Sequence, residues 1–293
     1  MGSTWALDDQ ARQLTDRIGQ GSFHVICELS ERSFYQTPVW GVARHRGARL
    51  YSLAGLDTSA FVRCVGRVNH RRMFQFGLAL RGVLQRSRHL RILTQNGTDI
   101  RMRWEQRPLH RLVARLLRQP RGYIAQPSGL LDPRWPMTYL GGQLTFQGIP
   151  ETIEGTAVID GRLWTPEGLG LLEQPLSVAI ERGRVVEIAG CPATSQLLKR
   201  WFQGQTIRVE HFCMGFHPGA RLSGKMLEAE RAFGCITVGM GRHALHTDGV
   251  IRCPSIEADQ NLIEAHGSFV SEELLSLQRE LVEADEPTQS TSA

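Results

Sequence analysis

The amino-acid sequence predicts an α/β N-terminal domain, with a parallel sheet and crossover helices, followed by an α+β domain that is mostly antiparallel. Two observations support this fold class. Up to residue 118, strand-like apolar runs alternate with amphipathic helical runs, as expected where helices connect parallel strands. From Tyr139 onward, short apolar runs are separated by turn residues such as Asp160-Gly161 and Arg182-Gly183, a pattern typical of antiparallel hairpins.

The length of the chain, 293 residues, also favours two domains. Its 41% hydrophobic and 22% charged residues are those of an ordinary globular protein. A segment rich in proline and glycine, Gln119–Pro136, suggests a linker. We therefore predict an N-terminal domain at 1–118, a linker at 119–138, a β-rich metal- or ligand-binding domain at 139–270, and a C-terminal helix with a disordered tail at 271–293.

In the N-terminal part, periodicity and turn residues place each element in order. The predicted elements are a helix at Leu7–Ile18, a strand at Phe23–Leu29, a helix at Ser33–Arg44, strands at Arg49–Leu53 and His89–Thr94 around a helix at Arg71–Leu84, an extended Ile100–Trp104, and a basic helix at Arg107–Arg118. The last helix could lie on a membrane surface, but packing of its leucine stripe against the core is the favoured interpretation.

The C-terminal part has short strands with few helices between them. The predicted strands are Leu144–Phe146, Gly155–Asp160, Leu176–Glu181, Val185–Ala189, Ile207–Met214, Gly234–Met240 and Gly249–Arg252, and the predicted helical segments are Ser195–Phe202, Leu227–Phe233 and Ser271–Ala284. The polar residues after them are expected to be disordered.

Charge and cysteine usage exclude several classes of protein. The net charge is +5, and arginines are dense between Arg63 and Arg121, but no nucleic-acid-binding motif accompanies them, so nucleic acid is not expected as the main ligand. Six cysteines lack CxxC spacing, and no apolar run is long enough to cross a bilayer. With a polar N-terminus, these features predict a cytoplasmic protein with reduced thiols and no membrane association.

The sequence His246-Thr247-Asp248-Gly249 is the strongest chemical signal. Residues two apart in an extended segment point to the same face, so His246 and Asp248 can bind one ion together. A second predicted strand brings Glu210 and His211 within reach. Two histidines and one carboxylate are the ligands typical of non-haem Fe(II) oxygenases. The alternative is that such a pair is a surface or capping feature that arose by chance.

The segment GFHPGARLSGKMLEAERAFGCITVGMG, with HTDG after it, resembles the C-terminal half of the aminopeptidase T metallopeptidases. It is more similar still to their relatives, the 2,5-dihydroxypyridine 5,6-dioxygenases. The upstream segments IEGTAVIDG and LSVAIERGRVVEIAG also match the family pattern. The resemblance covers roughly residues 141–259 well and the N-terminal half faintly.

The resemblance implies particular roles for individual residues. Glu210 falls at a carboxylate ligand of the peptidases, whereas Gln143 and Thr237 replace a carboxylate and a histidine ligand, so two-metal aminopeptidase activity is not expected. The dioxygenases need one iron, and His211, His246 and Asp248 match its ligands. The candidates for a catalytic base are His217 and His243, each of which could instead be a supporting or surface residue.

Two functions of different classes follow. The first is a mononuclear Fe(II) dioxygenase acting on an aromatic or heterocyclic compound, including one derived from a peptide. The second is a catalytically silent, metal-free peptide-binding protein that assists biosynthesis of a ribosomal modified-peptide natural product. Trp135, Tyr139 and Trp164, with Gln143 and Thr237, are the candidate residues for contacting the substrate or peptide. Exposed strand edges and the resemblance together predict a homodimer formed mainly by the C-terminal half.

Overall fold

The computed structural model describes residues 9–21, 25–30, 38–104, 122–129, 137–164, 169–242 and 245–283. The strands of these ranges are β1 Val25–Glu28, β2 Arg49–Ser52, β3 His89–Leu93, β4 Asp99–Arg103, β5 Tyr123–Ile124, β6 Met137–Tyr139, β7 Gln143–Gln147, β8 Glu154–Ile159, β9 Leu163–Trp164, β10 Leu176–Glu181, β11 Arg184–Gly190, β12 Val209–Gly215, β13 Cys235–Met240, β14 Thr247–Arg252, β15 Ser255–Ala258, β16 Asn261–Ala265 and β17 Ser268–Phe269.

The helices lie mainly near the two ends of the chain. They are α1 Asp9–Gln20, α2 Pro38–His45, α3 Thr58–Phe61, α4 His70–Arg86, α5 Pro192–Trp201, α6 Met226–Ala229 and α7 Glu272–Glu283, with a π-helical turn at Val62–Gly66 and a 3-10 turn at Pro150–Thr152. The helix predicted from Ser271 is confirmed as α7. The predicted basic helix, half of the predicted linker and the polar tail lie outside the described residues.

The parallel sheet predicted for the N-terminal part is present but small. It has three strands in the order β1-β2-β6, and both pairings are parallel. Helix α2 connects β1 to β2, as expected for a crossover between parallel strands. Val39 and Ala43 of this helix are buried with Leu50 of β2 in a separate small cluster, which fixes the helix on the sheet.

The prediction that the His89–Thr94 strand belongs to the parallel sheet was wrong. This strand, β3, is antiparallel to β4 and to β15 from near the C-terminus. Together they form the middle of an eight-stranded antiparallel sheet of order β11-β10-β8-β4-β3-β15-β16-β17. The local alternation of apolar residues predicts a strand at this position but does not specify its partners. Strands from both predicted domains therefore share one sheet, and the predicted domain boundaries stay a prediction.

The third sheet has six strands in the order β5-β7-β12-β13-β14-β9, and all of its pairings are antiparallel. One face of this sheet is apolar and faces the main core. Phe146 of β7 stacks on Phe212 of β12, with ring centroids 5.8 Å apart, and Leu163 of β9 is fully buried in the same core. Successive strand residues point to opposite faces, so the residues between these apolar ones form a second face with different chemistry.

Helix α4 closes one side of the core. Its Phe76 is fully buried, and its ring centroid lies 5.2 Å from that of Phe216 and 5.0 Å from that of Phe269. Aromatic contacts of this kind add to the stabilisation that burial of apolar area provides. They join the segment after β12 to the last strand of the eight-stranded sheet. Helix α7 packs against α4 as well, so the C-terminus is fixed to the same core.

Within the described ranges, no helix is long and apolar enough to span a membrane.

Candidate metal centre

Three side chains meet on the polar face of the six-stranded sheet. His211 of β12, Asp248 of β14 and His246, which immediately precedes β14, each bring one ligand atom within 4.8 Å of the other two. Asp248 Oδ1 lies 3.2 Å from His211 Nε2 and 3.1 Å from His246 Nε2. Metal–ligand bonds of about 2.1 Å at right angles place ligand atoms about 3 Å apart. The spacing of the carboxylate from both imidazoles therefore fits one face of a coordination sphere.

Gly239 of β13 makes this meeting possible. It lies between β12 and β14, opposite His211 on one side and Asp248 on the other. A Cβ atom at position 239 would come within 2.4 Å of His211 Cε1 and 2.6 Å of His211 Nε2. The His211 imidazole therefore lies directly over the backbone of β13, and only glycine leaves it that space.

Hydrogen bonds orient the two imidazoles. His246 Nδ1 lies 3.3 Å from the carbonyl oxygen of Gly241, to which it donates when that nitrogen carries the proton. Nε2 of His246 is then the nitrogen available to a ligand, as is usual for metal-binding histidines. The His211 and His246 rings are stacked, with centroids 5.2 Å apart and an angle of 28° between their planes.

The three groups also shift each other's pKa values. Burial by itself opposes ionisation of Asp248, but hydrogen bonds from His211 and His246 hold its pKa below the usual value. Burial opposes protonation of His211, yet Cys213 and Asp248 raise its pKa well above the usual value. The pKa of His246 is raised in the same way, because the bond to Asp248 outweighs burial. A carboxylate anion and two imidazoles that attract protons also attract a divalent cation.

The prediction that Glu210 contributes to the metal site is not supported by its position. Its carboxylate accepts a 2.7 Å hydrogen bond from Arg242 Nε, and that arginine is largely exposed. A bulge lies between Val209 and His211, so strand alternation does not fix the direction of Glu210. Its carboxylate is bound by Arg242 and is not among the clustered ligand atoms.

The prediction that His217 is a catalytic base conflicts with its surroundings. His217 is completely buried, and both of its ring nitrogens have backbone partners: Nε2 lies 2.9 Å from the Cys64 carbonyl oxygen, and Nδ1 accepts from Gly219 N–H at 3.1 Å. Burial lowers its pKa to about 4. A neutral imidazole with both nitrogens engaged joins the segment after β12 to the π-helical turn and has no nitrogen free for a substrate. His243 lies outside the described residues.

The neutral residues Gln143 and Thr237 lie in the sheet that carries the cluster, as their predicted place near the site requires. Thr237 of β13 pairs with Cys213, and Gln143 of β7 pairs with Gly215, on the polar face of the same sheet. Both side chains are buried, and Thr237 Oγ1 has no hydrogen-bond partner within the described ranges. Neither residue can supply an anionic or imidazole ligand. The described site therefore has one group of ligands where a two-metal peptidase needs two.

The aromatic residues predicted to contact a substrate lie in different places. Trp164 of β9 is directly paired with Asp248 of β14, so the two residues are neighbours on the polar face. Tyr139 is the last residue of β6, in the three-stranded parallel sheet rather than in the sheet that carries the cluster. Trp135 lies outside the described residues. Of the two that the structure describes, Trp164 is thus the one that lies beside the three-residue cluster.

Three further residues lie in this region. Cys213 acts electrostatically on His211, and its Sγ lies 3.3 Å from Thr145 Oγ1. Glu230, whose carboxylate is bound by Arg231, acts electrostatically on Asp248 and His211, and burial raises its pKa. Arg162 lies two residues before Trp164. Alternation along a strand could have identified Cys213 and Arg162, because they are two residues from His211 and Trp164.

Comparison with protein families identifies the chain. The model of the 2,5-dihydroxypyridine 5,6-dioxygenase family, NicX, matches residues 25–238, well over half of the sequence. The chain belongs to this family. The match ends at Val238, next to Gly239. It therefore includes His211 and the buried Thr237 but not His246 and Asp248. No curated protein matches the chain.

Solved structures agree with this family assignment. The 2,5-dihydroxypyridine dioxygenase of Pseudomonas putida KT2440 superimposes with a TM-score of 0.66 at 14% identity, covering 94% of this chain and 78% of that one. Wild-type AmpT from Thermus thermophilus superimposes with a TM-score of 0.56 at 13% identity, covering 89% and 79%. This family member therefore has the fold common to the dioxygenase and AmpT, as the sequence resemblance predicted.

Proposed function

We propose that this protein is a mononuclear dioxygenase that holds Fe(II) with His211, His246 and Asp248 and acts on a hydroxylated aromatic or heterocyclic ring. The observation that carries the proposal is the convergence of these three ligand atoms within 4.8 Å on one face of a sheet. Membership of the dioxygenase family supports the reaction class. Two imidazoles and one carboxylate with open positions are the ligands that Fe(II) oxygenases use.

The surroundings of the cluster fit an iron site of this kind. His211 lies on β12, Asp248 on β14 and His246 just before β14, and β13 joins the two strands in one continuous antiparallel ladder, so the backbone fixes the spacing of the ligands. Asp248 is 7% exposed, whereas about a quarter of each imidazole is exposed, which leaves one side open to a substrate. When bound, iron would supply a Lewis acid and a centre for reaction with dioxygen.

Residues of this chain would then bind and orient the ring. Trp164 lies beside Asp248 and offers an aromatic surface against which a planar substrate can stack. Thr237 has a buried hydroxyl with no partner within the described ranges, on the same polar face. That hydroxyl can donate to or accept from a hydroxyl group or ring nitrogen of the substrate. A substrate of this chemistry would satisfy a group that burial otherwise leaves unpaired.

The alternative proposal is a catalytically silent protein that binds a peptide without a metal. The neutral residues Gln143 and Thr237, at positions where related peptidases have ligands, are compatible with it. The three-ligand cluster is the observation that favours the enzyme, because two imidazoles and one carboxylate are the ligands that Fe(II) oxygenases use. Metal binding separates the two functions.

The test is to purify the full-length chain anaerobically without chelators and to measure its iron content and its calorimetric response to Fe(II) and Mn(II). We expect one ion per chain. The loaded protein should then consume oxygen with a dihydroxylated pyridine or benzene, and Asp248→Asn should lose both properties. A wild-type protein that binds neither ion would overturn the enzyme proposal and favour peptide binding.

A further inference from the structure

Arg162 occupies a position next to the metal ligands that no role assigned so far explains. It immediately precedes β9, and its carbonyl oxygen accepts a 2.7 Å hydrogen bond from Val250 N–H of β14. Two residues on in the same ladder, Trp164 pairs with Asp248. Residues two apart along a strand share a face, so the side chains of Arg162 and Trp164 point the same way.

That direction is toward the cluster and away from the core. Leu163, between these two residues, is fully buried in the main hydrophobic core. Its partner Gly249 faces the core as well, since a Cβ there would meet Ile159 Cδ1 at 2.4 Å. Asp248 and Arg162 therefore both lie on the opposite, polar face of the sheet. Two residues along a strand span about 7 Å, so the backbone positions of Arg162 and of the residue paired with Asp248 are about that far apart.

The Arg162 side chain is buried, and two of its three guanidinium nitrogens have no hydrogen-bond partner among the described residues. The residue is 7% exposed, and its Nε and Nη1 have no hydrogen-bond partner in the part of the chain that the structure describes. Burial lowers its pKa, but an arginine keeps its charge at neutral pH. Glu230 acts on Arg162 through space, but its own carboxylate is bound by Arg231. A buried cation with free donors is costly, so we expect a ligand to satisfy it.

We propose that Arg162 binds a carboxylate on the substrate and so selects an aromatic acid over a neutral ring. A guanidinium is planar and carries several N–H donors, which suits a carboxylate better than it suits a neutral hydroxyl. This specificity rests on the proposed function, because the ring of the same molecule would lie at the metal ligands. The anion site itself consists of protein atoms and does not need the metal to be present.

The test measures binding of two probes to the full-length, metal-free chain by calorimetry. They are 3,4-dihydroxybenzoate and catechol, which differ only in the carboxylate. We expect wild type to bind the acid at least tenfold more tightly than catechol. Arg162→Met should remove this preference and leave catechol binding within twofold of wild type, while Arg162→Lys should keep part of the preference. Arg101→Met, which removes an exposed arginine of the eight-stranded sheet, is the matched control and should behave as wild type.

Three results would overturn the proposal: no binding of the acid by wild type, an unchanged preference in Arg162→Met, or equal loss of both probes in that variant. A structural role for Arg162 predicts that Arg162→Met unfolds at a lower urea concentration, whereas removal of an unpaired buried charge should leave the midpoint unchanged or raise it. If wild type binds no metal but keeps the Arg162-dependent preference, the iron proposal fails and the anion site stands. If wild type has a normal metal content but no such preference, the anion site fails and the iron proposal stands.

Discussion

The imidazole of His211 lies directly over the backbone of Gly239, and any side chain at position 239 would occupy the same space. A Cβ there would be 2.4 Å from His211 Cε1. Strand β13 lies between β12 and β14 and has no side chain at this one residue. The imidazole of His211 passes over it to reach Asp248. The geometry of the site depends on a residue that supplies no ligand.

The first prediction follows from this contact. Gly239→Ala should displace His211 and lower metal affinity at least tenfold, because the site needs all three ligands. Gly224→Ala is the matched control, since a Cβ at that position meets nothing within 4 Å. Calorimetry with Mn(II) measures the affinity, and circular dichroism checks that both variants are folded. A Gly239→Ala variant with wild-type affinity would show that His211 is not a ligand.

A second prediction separates the ligands from their acidic neighbour. Replacing His246 with Ala or Asp248 with Asn should lower metal affinity by more than about 100-fold, because two ligands cannot hold a divalent ion firmly. Glu210→Gln should change it less than about threefold, since Glu210 pairs with Arg242 and not with the cluster. Metal content after dialysis gives the comparison. Loss of metal in Glu210→Gln would restore the role that the sequence suggested for it.

The dependence of metal affinity on pH is the third prediction. Protons and metal compete for His211 and His246, whose pKa values in the metal-free protein are both raised. Affinity should therefore begin to fall at a pH above the ordinary imidazole value of about 6.5 and continue to fall as the pH drops. Mn(II) titrations between pH 8 and pH 5.5 test this. A constant affinity over this range would contradict histidine ligation.

The fourth prediction concerns stability and His217. Its folded-state pKa is about 4, below the unfolded value, so the unfolded chain takes up a proton first as the pH falls. The stabilisation is fully present above about pH 6.5 and is lost as the pH falls toward 4, by about 3 kcal/mol in total. Urea unfolding at pH 7 and pH 5 should show a larger loss in wild type than in His217→Gln. Equal losses would show that His217 titrates normally.

A homodimer is the fifth prediction. The two outer strands of the eight-stranded sheet, β11 and β17, are edges within the described residues, and Val186 of β11 is exposed. Unpaired edges of this kind favour association with a second copy. Light scattering of the full chain should give twice the monomer mass. A monomer at all working concentrations would remove this expectation.

Sequence reasoning grouped the three residues of the candidate metal centre because local rules govern their placement. The spacing of His246 and Asp248 fixes their common face whatever the rest of the fold does, and the strand containing His211 was recognisable from its apolar alternation. The same rule does not decide the direction of Glu210, because that residue lies in a bulge. Family resemblance placed Glu210 among the ligands, whereas in this structure its carboxylate is bound by Arg242.

Other features depended on partners that are distant in sequence. The pattern around β3 predicts a strand but not its pairing with β15, which is set by packing in the assembled core. Arg162 lies between a turn and an aromatic residue, where a single charge looks like a surface residue. Its importance becomes visible only when β14 brings it to the same face as Asp248.

The pairing of β3 with β15 also constrains how the protein is made. Ile92 faces Ile256 across this ladder, so the centre of the largest sheet cannot close until the ribosome has synthesised nearly the whole chain. Contacts between residues that are so far apart in sequence slow folding, and the unpaired strands stay exposed until their partners are available. A nascent chain that ends before β15 would hold β3 beside β4 with one edge open. Truncation from the C-terminus should therefore yield insoluble fragments rather than a folded N-terminal half.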